Sequence, residues 1–370
     1  MPISIAIDCR MLDASGVGVY LRGCLSCFLK LKDKLLSTAF DEGSEYNFLL
    51  FGNTTQLQHF VSEKNVRIID CDIKPFSLKE LFFFPLAIRR EINKANIYYS
   101  PFFNIPKGIK IPVYTTIHDI IFPDMPELYS KVGLAIRMWF FRRAYKKSRK
   151  LFTVSEFSKS RIEHHLGVEK QVIVTHSAIQ PMFLEYREKN LAHQKQETIV
   201  FIGNIKKHKG LDCLLNAFHL AKNEGLPHRL VIIGSKDNFR TSNNTLMQKM
   251  ESADDGIFFT GGISDEELLE HLSTAALLVQ PSLYEGFCLP PLEAMVLGTH
   301  ALISDIPVLK EIYTNFPVTF FRTGDSVNLK EKIMELLFNK KSSSHVLPDE
   351  LVQRYTFEKT VQKIMHGLTH

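Results

Sequence analysis

The sequence predicts an α/β protein made of two Rossmann-like domains, each a doubly wound parallel sheet. Three observations support this prediction. Short β-branched runs alternate with helical patterns throughout, most runs are apolar on both faces, and 370 residues suffice for about two domains. Strands buried on both faces are typical of parallel sheets, because the connecting helices cover both sides of the sheet.

Composition excludes several classes of protein. Hydrophobic residues make up 45% and charged residues 23%, as in soluble globular domains, so disordered and fibrous proteins are excluded. The net charge of +5 is too small to predict a nucleic-acid partner, but it permits a phosphate-bearing ligand. The chain has no apolar run of about 18 residues, no basic leader, and six scattered cysteines. We therefore expect a cytoplasmic protein.

The predicted elements define the domains. Strands are expected at residues 3–8, 46–51, 66–69, 97–99, 113–117, 151–154 and 172–175, and then at 198–202, 230–233, 257–260, 277–279 and 301–303. Helical patterns cover residues 211–222, 265–274, 292–297 and 357–370. The polar segment 182–197 predicts the boundary between a domain at 1–185 and one at 186–350. Two such domains can face a central cleft, with ligands beyond the carboxyl ends of the strands.

Two motifs of the first domain follow predicted strands. Gly16, Val17 and Gly18 precede a helix, where glycines permit close backbone approach and the helix N-terminus favours an anion. Leu21 stands where a dinucleotide fingerprint has its third glycine, so a plain turn explains this motif equally well. His118 is placed to donate a hydrogen bond to a sugar or phosphate; the alternative is a capping or core histidine.

The first turn of the second domain, residues 203–210, is rich in lysine. It contains Asn204, Lys206, Lys207 and Lys209 between a strand and an apolar helix, which is favourable for a diphosphate. The turn does not match a P-loop, which argues against an ATPase or kinase. A solvated lysine turn remains the alternative.

Residues 281–295 carry two glutamates in the sequence P-S-L-Y-E-G-F-C-L-P-P-L-E-A-M. Glu285 lies on a predicted loop, and Glu293 follows eight residues later, inside a helix that begins with two prolines. A glycosidase pair is one interpretation, although a helical span of eight residues would be about 12 Å, longer than such pairs require. In the other interpretation, the amides near Phe287 face an anion and each glutamate accepts hydrogen bonds from sugar hydroxyls.

The sequence Y-E-G-F-C-L-P-P-L-E-A-M at residues 284–295 resembles the E-x7-E signature of retaining nucleotide-sugar glycosyltransferases of family 4 (group 1), which have the GT-B fold. The resemblance covers nearly the whole chain. Further matching segments are residues 15–20, 116–119, 153–159, 203–210, 262–268, 304–311 and 355–359. It also implies that a C-terminal helix at residues 351–370 returns to the first domain.

The resemblance implies transfer of a hexose with retention of configuration, with no cofactor and no metal. His118 would contact the donor sugar, Lys209 would neutralise the diphosphate, and Asn204 stands where many relatives have an arginine. Glu285 would bind sugar hydroxyls and Glu293 the ribose.

Backbone groups complete the site that the resemblance implies. Those at Gly16, Val17 and Gly18 would meet the phosphate, and those at Gly262 and Ile263 would meet the base. The sugar pocket would be completed by Phe287, Cys288 and Leu289, with Cys288 in place of a common glycine.

The resemblance suggests GDP-mannose as donor, then UDP-glucose, and a saccharide or lipid-linked saccharide as acceptor. Three alternatives remain. Asp70 and Asp72 form a D-x-D of the kind used by metal-dependent glycosyltransferases, and a sugar-nucleotide epimerase or a catalytically silent partner could share the fold.

Membrane contact is a further possibility raised by residues 137–150, which carry seven basic residues among aromatics. Peripheral binding at the inner face of the membrane would use Arg137, Arg142, Arg143, Lys146 and Lys147. The alternative is an ordinary helix with a solvated basic face. The apolar segment 81–86 could lie beside this helix or in the core. Cys24 and Cys27 form a C-x-x-C without a second ligand pair, which favours core packing over zinc.

Overall fold

The computed structural model describes residues 2–30, 46–60, 65–189, 194–234, 256–338 and 347–370. The chain divides into two compact units, Met1–Ala178 with Tyr355–His370, and Ile179–Arg354. The division lies seven residues before the predicted boundary at 185, because the polar segment begins with a helix, Pro181–Glu188, that buries Phe183 within the second unit. The tail counts with the first unit from Tyr355 onward.

The first unit contains a parallel sheet of seven strands in the order β3-β2-β1-β4-β5-β6-β7. Its strands are β1 Ile3–Asp8, β2 Tyr46–Gly52, β3 Val66–Asp70, β4 Ile97–Ser100, β5 Val113–Thr116, β6 Ser148–Thr153 and β7 Val172–Val174. All seven were predicted, and their bounds differ from the prediction by three residues at most. Central strands such as β4 and β5 are buried at every position, as expected for a sheet covered on both faces.

Helices follow most of these strands. They are α1 Ser15–Lys30, α2 Thr54–Leu57, α3 Leu78–Phe82, α4 Leu86–Ile92, α5 Ile121–Asp124, α6 Lys131–Lys147 and α7 Glu156–Leu166. Ser130 and Ser155 cap α6 and α7 by accepting hydrogen bonds from N–H groups of the first turn. Cys24 is fully buried in α1, and neither Cys24 nor Cys27 forms a disulfide among the described residues.

The second unit contains a parallel sheet of six strands in the order β10-β9-β8-β11-β12-β13. Its strands are β8 Thr198–Ile202, β9 Arg229–Ile233, β10 Ile257–Gly261, β11 Leu277–Gln280, β12 Ala301–Ser304 and β13 Val318–Phe321. The edge strand β13 was not predicted: three of its four residues are only half-buried, and its apolar run, V-T-F-F, is short.

The second unit and the C-terminal tail contain the other described helices. They are α8 Pro181–Glu188, α9 Leu211–Asn223, α10 Asp265–Thr274, α11 Pro290–Val296, α12 Pro307–Tyr313, α13 Ser326–Phe338, α14 Asp349–Val352 and α15 Phe357–Thr369. The amphipathic α15 packs against α1, where the ring of Phe357 occupies the space that a Cβ at Gly23 would need. Both sheets are parallel throughout and flanked by helices, which confirms the doubly wound class.

Candidate functional site

In the first unit, the glycine motif lies inside a helix rather than before one. Residues 15–18 form the first turn of α1, where N–H groups have no acceptor within the helix itself. The two glycines differ in their surroundings. A Cβ at Gly18 would lie 2.3 Å from the carbonyl oxygen of Leu12, whereas one at Gly16 would meet nothing within 4 Å. Gly18 is therefore required for packing, and the space beside Gly16 can admit a ligand.

His118 follows β5 and contacts the same helix. Its ring packs edge-on against Tyr20 of α1, with 4.7 Å between ring centroids. Its Nε2 lies 2.9 Å from the carbonyl oxygen of Pro101, so Nε2 carries the proton. Burial lowers the pKa of His118 to about 4, which leaves the ring neutral at pH 7. The neutral imidazole then has Nδ1 as an acceptor, while its N–H is already donated to Pro101, so it is better suited to accept from a ligand hydroxyl than to donate as the sequence predicts.

In the second unit, the lysine turn meets the glutamate loop. Lys209 ends a 3-10 turn, Lys207–Lys209, and its Nζ lies 2.7 and 2.9 Å from the two carboxylate oxygens of Glu285. Ser282 Oγ donates a third hydrogen bond to Glu285, at 2.7 Å. Burial raises the pKa of Glu285, but the charge and hydrogen bonds of Lys209 outweigh it and leave this pKa below its ordinary value. Glu285 is therefore an anion held by a cation.

Two residues beside this pair, His208 and Ser282, were not identified from the sequence. The carbonyl of His208 accepts a hydrogen bond from Leu283 N at 2.7 Å, which ties the lysine turn to the glutamate loop. Burial, with the positive charge of Lys209, lowers the pKa of His208 to about 4. Ser282 is the other unrecognised residue. Its proximity to Glu285, three residues along a predicted loop, was the only signal in the sequence.

Gly210 sets the geometry of the lysine turn. Its φ of 69° is left-handed, and a Cβ there would lie 1.9 Å from the carbonyl oxygen of Pro281. Only glycine satisfies both constraints without a shift of the backbone. The packing of Gly210 against Pro281 brings the strand-end loops of β8 and β11 together, and Lys209 precedes this contact.

The loop after Glu285 contains a strained residue. Phe287 and Cys288 are buried, Leu289 precedes α11, and Cys288 has a φ of 73°. This conformation suits glycine, as the resemblance led us to expect at this position. Tyr313 OH donates to the carbonyl of Cys288 at 2.5 Å and holds this conformation. Burial raises the pKa of the Cys288 thiol well above its usual value, so the thiol stays protonated.

Glu293 lies in α11 in different surroundings from Glu285. It is 6% exposed, and burial raises its pKa to about 7 despite a hydrogen bond from Gln180. Glu285 is thus ionised at neutral pH, whereas Glu293 is protonated in part of the molecules near pH 7. This difference favours separate roles over a symmetric pair.

The other predicted positions lie at strand ends of the same unit. Asn204 follows β8, in the loop before the lysine turn. Gly262 is exposed and Ile263 half-buried, between β10 and α10. The N-terminus of α10 is closed by a capping box in which Ser264 and Glu267 satisfy each other's N–H groups. Backbone groups at 262 and 263 therefore remain the better candidates there for contact with a base.

The D-x-D segment lies in the first unit. Asp70 ends β3 and accepts hydrogen bonds from the N–H and hydroxyl of Thr54, which lower its pKa. Among the residues that the structure describes, no three His, Cys, Asp or Glu side chains form a cluster suited to a metal ion.

Two family models match adjacent parts of the chain. Glycosyltransferase Family 4 matches residues 57–181, and glycosyl transferases group 1 matches residues 182–347. The two models meet at residue 181, three residues from the division of the structure, and the second contains the whole lysine and glutamate site.

Similar proteins of known name or structure agree with the models. O-antigen chain mannosyltransferase B of Escherichia coli is 28% identical over 59% of this chain and 59% of its own length. O-antigen chain mannosyltransferase RfbU of Salmonella typhimurium is 26% identical over 68% of each. The chain thus spans about three fifths to two thirds of these two relatives.

Among solved structures, Anabaena HepE in complex with UDP and glucose covers 99% of both chains at 15% identity, with a TM-score of 0.69. A glycosyltransferase from Rickettsia africae covers 99% of this chain and 98% of its own, at 13% identity and a TM-score of 0.66. The parallel sheets, the site and the two models agree: the chain belongs to the group 1 (family 4) glycosyltransferases of the GT-B fold.

Proposed function

We propose that this chain is a retaining, metal-independent hexosyltransferase. It transfers mannose from GDP-mannose, or as second choice glucose from UDP-glucose, to a saccharide or lipid-linked saccharide during O-antigen-type polysaccharide synthesis. Two relatives that are named O-antigen mannosyltransferases support the sugar and the process. The structure of HepE with UDP and glucose supports a nucleotide-sugar donor. We place the reaction at the cytoplasmic face of a membrane.

The Lys209–Glu285 pair is the observation that carries the proposal. A leaving nucleoside diphosphate accumulates negative charge as the glycosidic bond breaks, and a fixed cation stabilises that charge. Lys209 is 20% exposed, so its charge is partly desolvated yet still reachable. Gly203 precedes it on the same turn, but its N–H is already donated to the carbonyl of Ile233, at 2.9 Å. Lys209 therefore supplies the positive charge that a metal ion would otherwise supply.

Glu285 is suited to hold the sugar rather than attack it. Lys209 and Ser282 use part of its acceptor capacity and keep it ionised, and its remaining lone pairs can accept from sugar hydroxyls. A carboxylate already neutralised by a lysine is a weak nucleophile. We therefore favour attack by the acceptor hydroxyl on the same face as the leaving group. The bond from C1 to the diphosphate breaks, the bond to the acceptor oxygen forms, and the hydroxyl proton passes to the diphosphate.

The remaining residues complement this assignment. Glu293, with a pKa of about 7, can both accept and donate hydrogen bonds near neutrality, which suits the two hydroxyls of a ribose. His118 stays neutral and accepts at Nδ1, which suits a sugar hydroxyl and not a phosphate oxygen. The diphosphate therefore depends on Lys209 and not on an imidazolium.

Nucleotide binding is the first test. Thermal unfolding is measured with GDP, UDP, ADP, dTDP and CMP, each with and without EDTA. A nucleotide that binds only the folded protein at 100 times its Kd adds about 2.7 kcal/mol to stability. We expect GDP to raise the Tm most and EDTA to leave the shift unchanged. A shift that requires a divalent cation contradicts the metal-independent mechanism.

Single-residue variants test the chemistry. Lys209→Ala and Glu285→Ala should each lower transfer by at least about 100-fold, as expected for loss of a group that stabilises transition-state charge. Lys207→Ala and Glu270→Gln, at exposed positions on the same turn and on α10, are the matched controls. Full activity of either site variant contradicts its assigned role. Donor turnover without acceptor would indicate an epimerase instead, and NMR of the product determines whether configuration is retained.

A further inference from the structure

We propose that the first unit docks on an anionic lipid bilayer through one surface, formed by residues 76–90 and α6. This goes beyond the proposed function, which requires an acceptor but assigns no surface to a membrane. Among the described residues, no helix is long and apolar enough to cross a bilayer. The proposed contact is therefore peripheral.

Eight large apolar side chains on this surface are exposed to solvent, and we call seven of them, all except the less exposed Phe76, the apolar ridge. Leu78, Phe82, Phe83 and Leu86 expose 51–76% of their surface, and Val132, Ile136 and Trp139 expose 50–71%. The last three are spaced by four and three residues and so form one stripe along α6. A cluster of large exposed apolar residues is unusual on a soluble domain and typical of an interaction site. The sequence leaves open whether the segment 81–86 is core; the exposure of three ridge residues, Phe82, Phe83 and Leu86, shows that half of it is not.

The two parts of the ridge are joined by direct contacts. The ring of Phe76 packs edge-on against that of Phe140 on α6, at 4.9 Å between centroids, and Phe140 packs against Trp139 at 5.0 Å. The loop 102–108 lies between them. Lys107 Nζ is 5.6 Å from the centre of the Phe82 ring, and Arg143 donates to the carbonyl of Ile105. The apolar ridge is therefore one continuous surface.

The exposure of α3 is fixed by a buried charge. Glu80, in the middle of α3, is fully buried and pairs with Arg10 at 2.6 Å. Its other carboxylate oxygen accepts from Phe76 N at 2.8 Å. Because Glu80 points inward and is held on both sides, Leu78 and Phe82 of the same short helix point outward. The buried contacts of Glu80 thus fix the orientation of the ridge residues on α3.

The charges around the ridge favour an anionic bilayer over a neutral or apolar partner. Residues 73–90 and α6 carry ten basic residues, namely Lys74, Lys79, Arg89, Arg90, Lys131, Arg137, Arg142, Arg143, Lys146 and Lys147. Glu80 is the one acidic residue in these two segments, and it is buried and paired. Asp72 and Glu91 flank the first segment, and Glu91 pairs with Arg67 and Lys94. Apolar side chains beside an excess of cations match the two layers of a bilayer surface, acyl chains and anionic headgroups.

Vesicle flotation tests the proposal. The full chain is mixed with vesicles of phosphatidylcholine alone or with 30% phosphatidylglycerol, at low and high salt, in the absence of donor. We expect binding to the anionic vesicles that weakens with salt, and little binding to phosphatidylcholine. Arg142→Gln/Lys146→Gln/Lys147→Gln should weaken binding by about 100-fold, from about tenfold or less for each cation near the surface. Phe82→Ser/Phe83→Ser should weaken it by at least about tenfold, because two aromatic side chains no longer insert into the bilayer.

Matched controls lie in residues far from the ridge in sequence. Arg322→Gln/Arg354→Gln/Lys359→Gln removes three other exposed cations, and Val327→Ser/Phe338→Ser removes two other exposed apolar residues. The controls should bind like the wild type. The Tm and nucleotide shift of each variant show that it is folded, and they report on the proposed function independently. Absence of binding to anionic vesicles at low salt, or equal losses in ridge and control variants, overturns the proposal.

Discussion

Each unit places charged side chains just after its first strand, but in opposite surroundings. After β1, Arg10 lies between Asp8 and Glu80 at 2.6 Å from each, and the three side chains are at most 6% exposed. Tyr98, Asn104 and the carbonyl of Ile73 complete this network. After β8, Lys209 pairs with Glu285, and the two side chains are 20% and 9% exposed.

The difference separates a structural charge network from a functional one. A sealed network whose donors are used within the protein has little left for a ligand, and it fixes the segment that carries the apolar ridge. In the half-open pair Lys209 stays 20% exposed, so a ligand can reach it. Burial distinguishes the two, because both are built from the same residue types at the same place in the fold.

We expect the largest effect on stability from loss of the buried network of Asp8, Arg10 and Glu80. Glu80→Ala leaves Arg10 buried beside one carboxylate and should lower the free energy of unfolding by about 3–5 kcal/mol. Lys209→Ala should lower it by only about 1–2 kcal/mol, because its pair is partly solvated. Urea unfolding measures both, with the surface pair variant Glu91→Ala as a control below about 1 kcal/mol. Equal losses for Glu80→Ala and Lys209→Ala would break the comparison.

Glu293 offers a third case, a buried carboxyl whose pKa is lowered by no cation in the part of the chain that the structure describes. Its pKa is about 7 in the folded state, against 4.5 as an ordinary value. Between these values the unfolded state releases the proton and the folded state keeps it, so stability falls as pH rises from 4.5 to 7. The loss is about 3 kcal/mol at 1.36 kcal/mol per pKa unit. Glu293→Gln should remove this decline from urea unfolding measured at several pH values.

The exposed Glu270→Gln should leave the slope of that pH profile as in the wild type. If Glu293→Gln retains the full decline, burial of Glu293 is not its source.

Gly210 tests whether the half-open pair depends on its turn. Gly210→Ala places a Cβ against the carbonyl of Pro281 in a left-handed conformation, which should destabilise by about 2 kcal/mol or more and weaken nucleotide binding. Gly225→Ala is the matched control, since Gly225 has a φ of 88° with nothing within 4 Å. The control measures the cost of a side chain at a left-handed φ without a steric contact, which is about 1 kcal/mol. Equal losses would mean that contact with Pro281 is not required.

The smallest expected effect is at Cys288. Cys288→Gly relieves a left-handed φ of 73°, and Cys288→Ala does not, although both remove the thiol. The glycine variant should therefore be more stable than the alanine variant by about 1 kcal/mol, measured by urea unfolding. A more stable alanine variant would show that Tyr313 holds this loop without strain.

Strand positions were accessible from sequence because buried parallel strands leave continuous apolar runs. β1, β8 and α10 were predicted to the residue. The edge strand β13 was missed because it is half-exposed, and the helix α8 because its one buried residue, Phe183, leaves little periodicity. Both failures occur where packing is weak, so the sequence carries little trace of it.

Local sequence thus determined the two parallel sheets, the family, and the residue types at the ends of β8 and β11. Only the tertiary structure decided the ion pairing, the protonation and the exposure of these side chains. It paired Lys209 with Glu285 across 76 residues, buried Glu293 so that its pKa rises, and turned the proton of His118 toward Pro101. It also turned Glu80 inward, so that its apolar neighbours face solvent. The physical reason is that apolar periodicity is local, whereas pKa, ion pairing and exposure depend on neighbours that are distant in sequence and close in space.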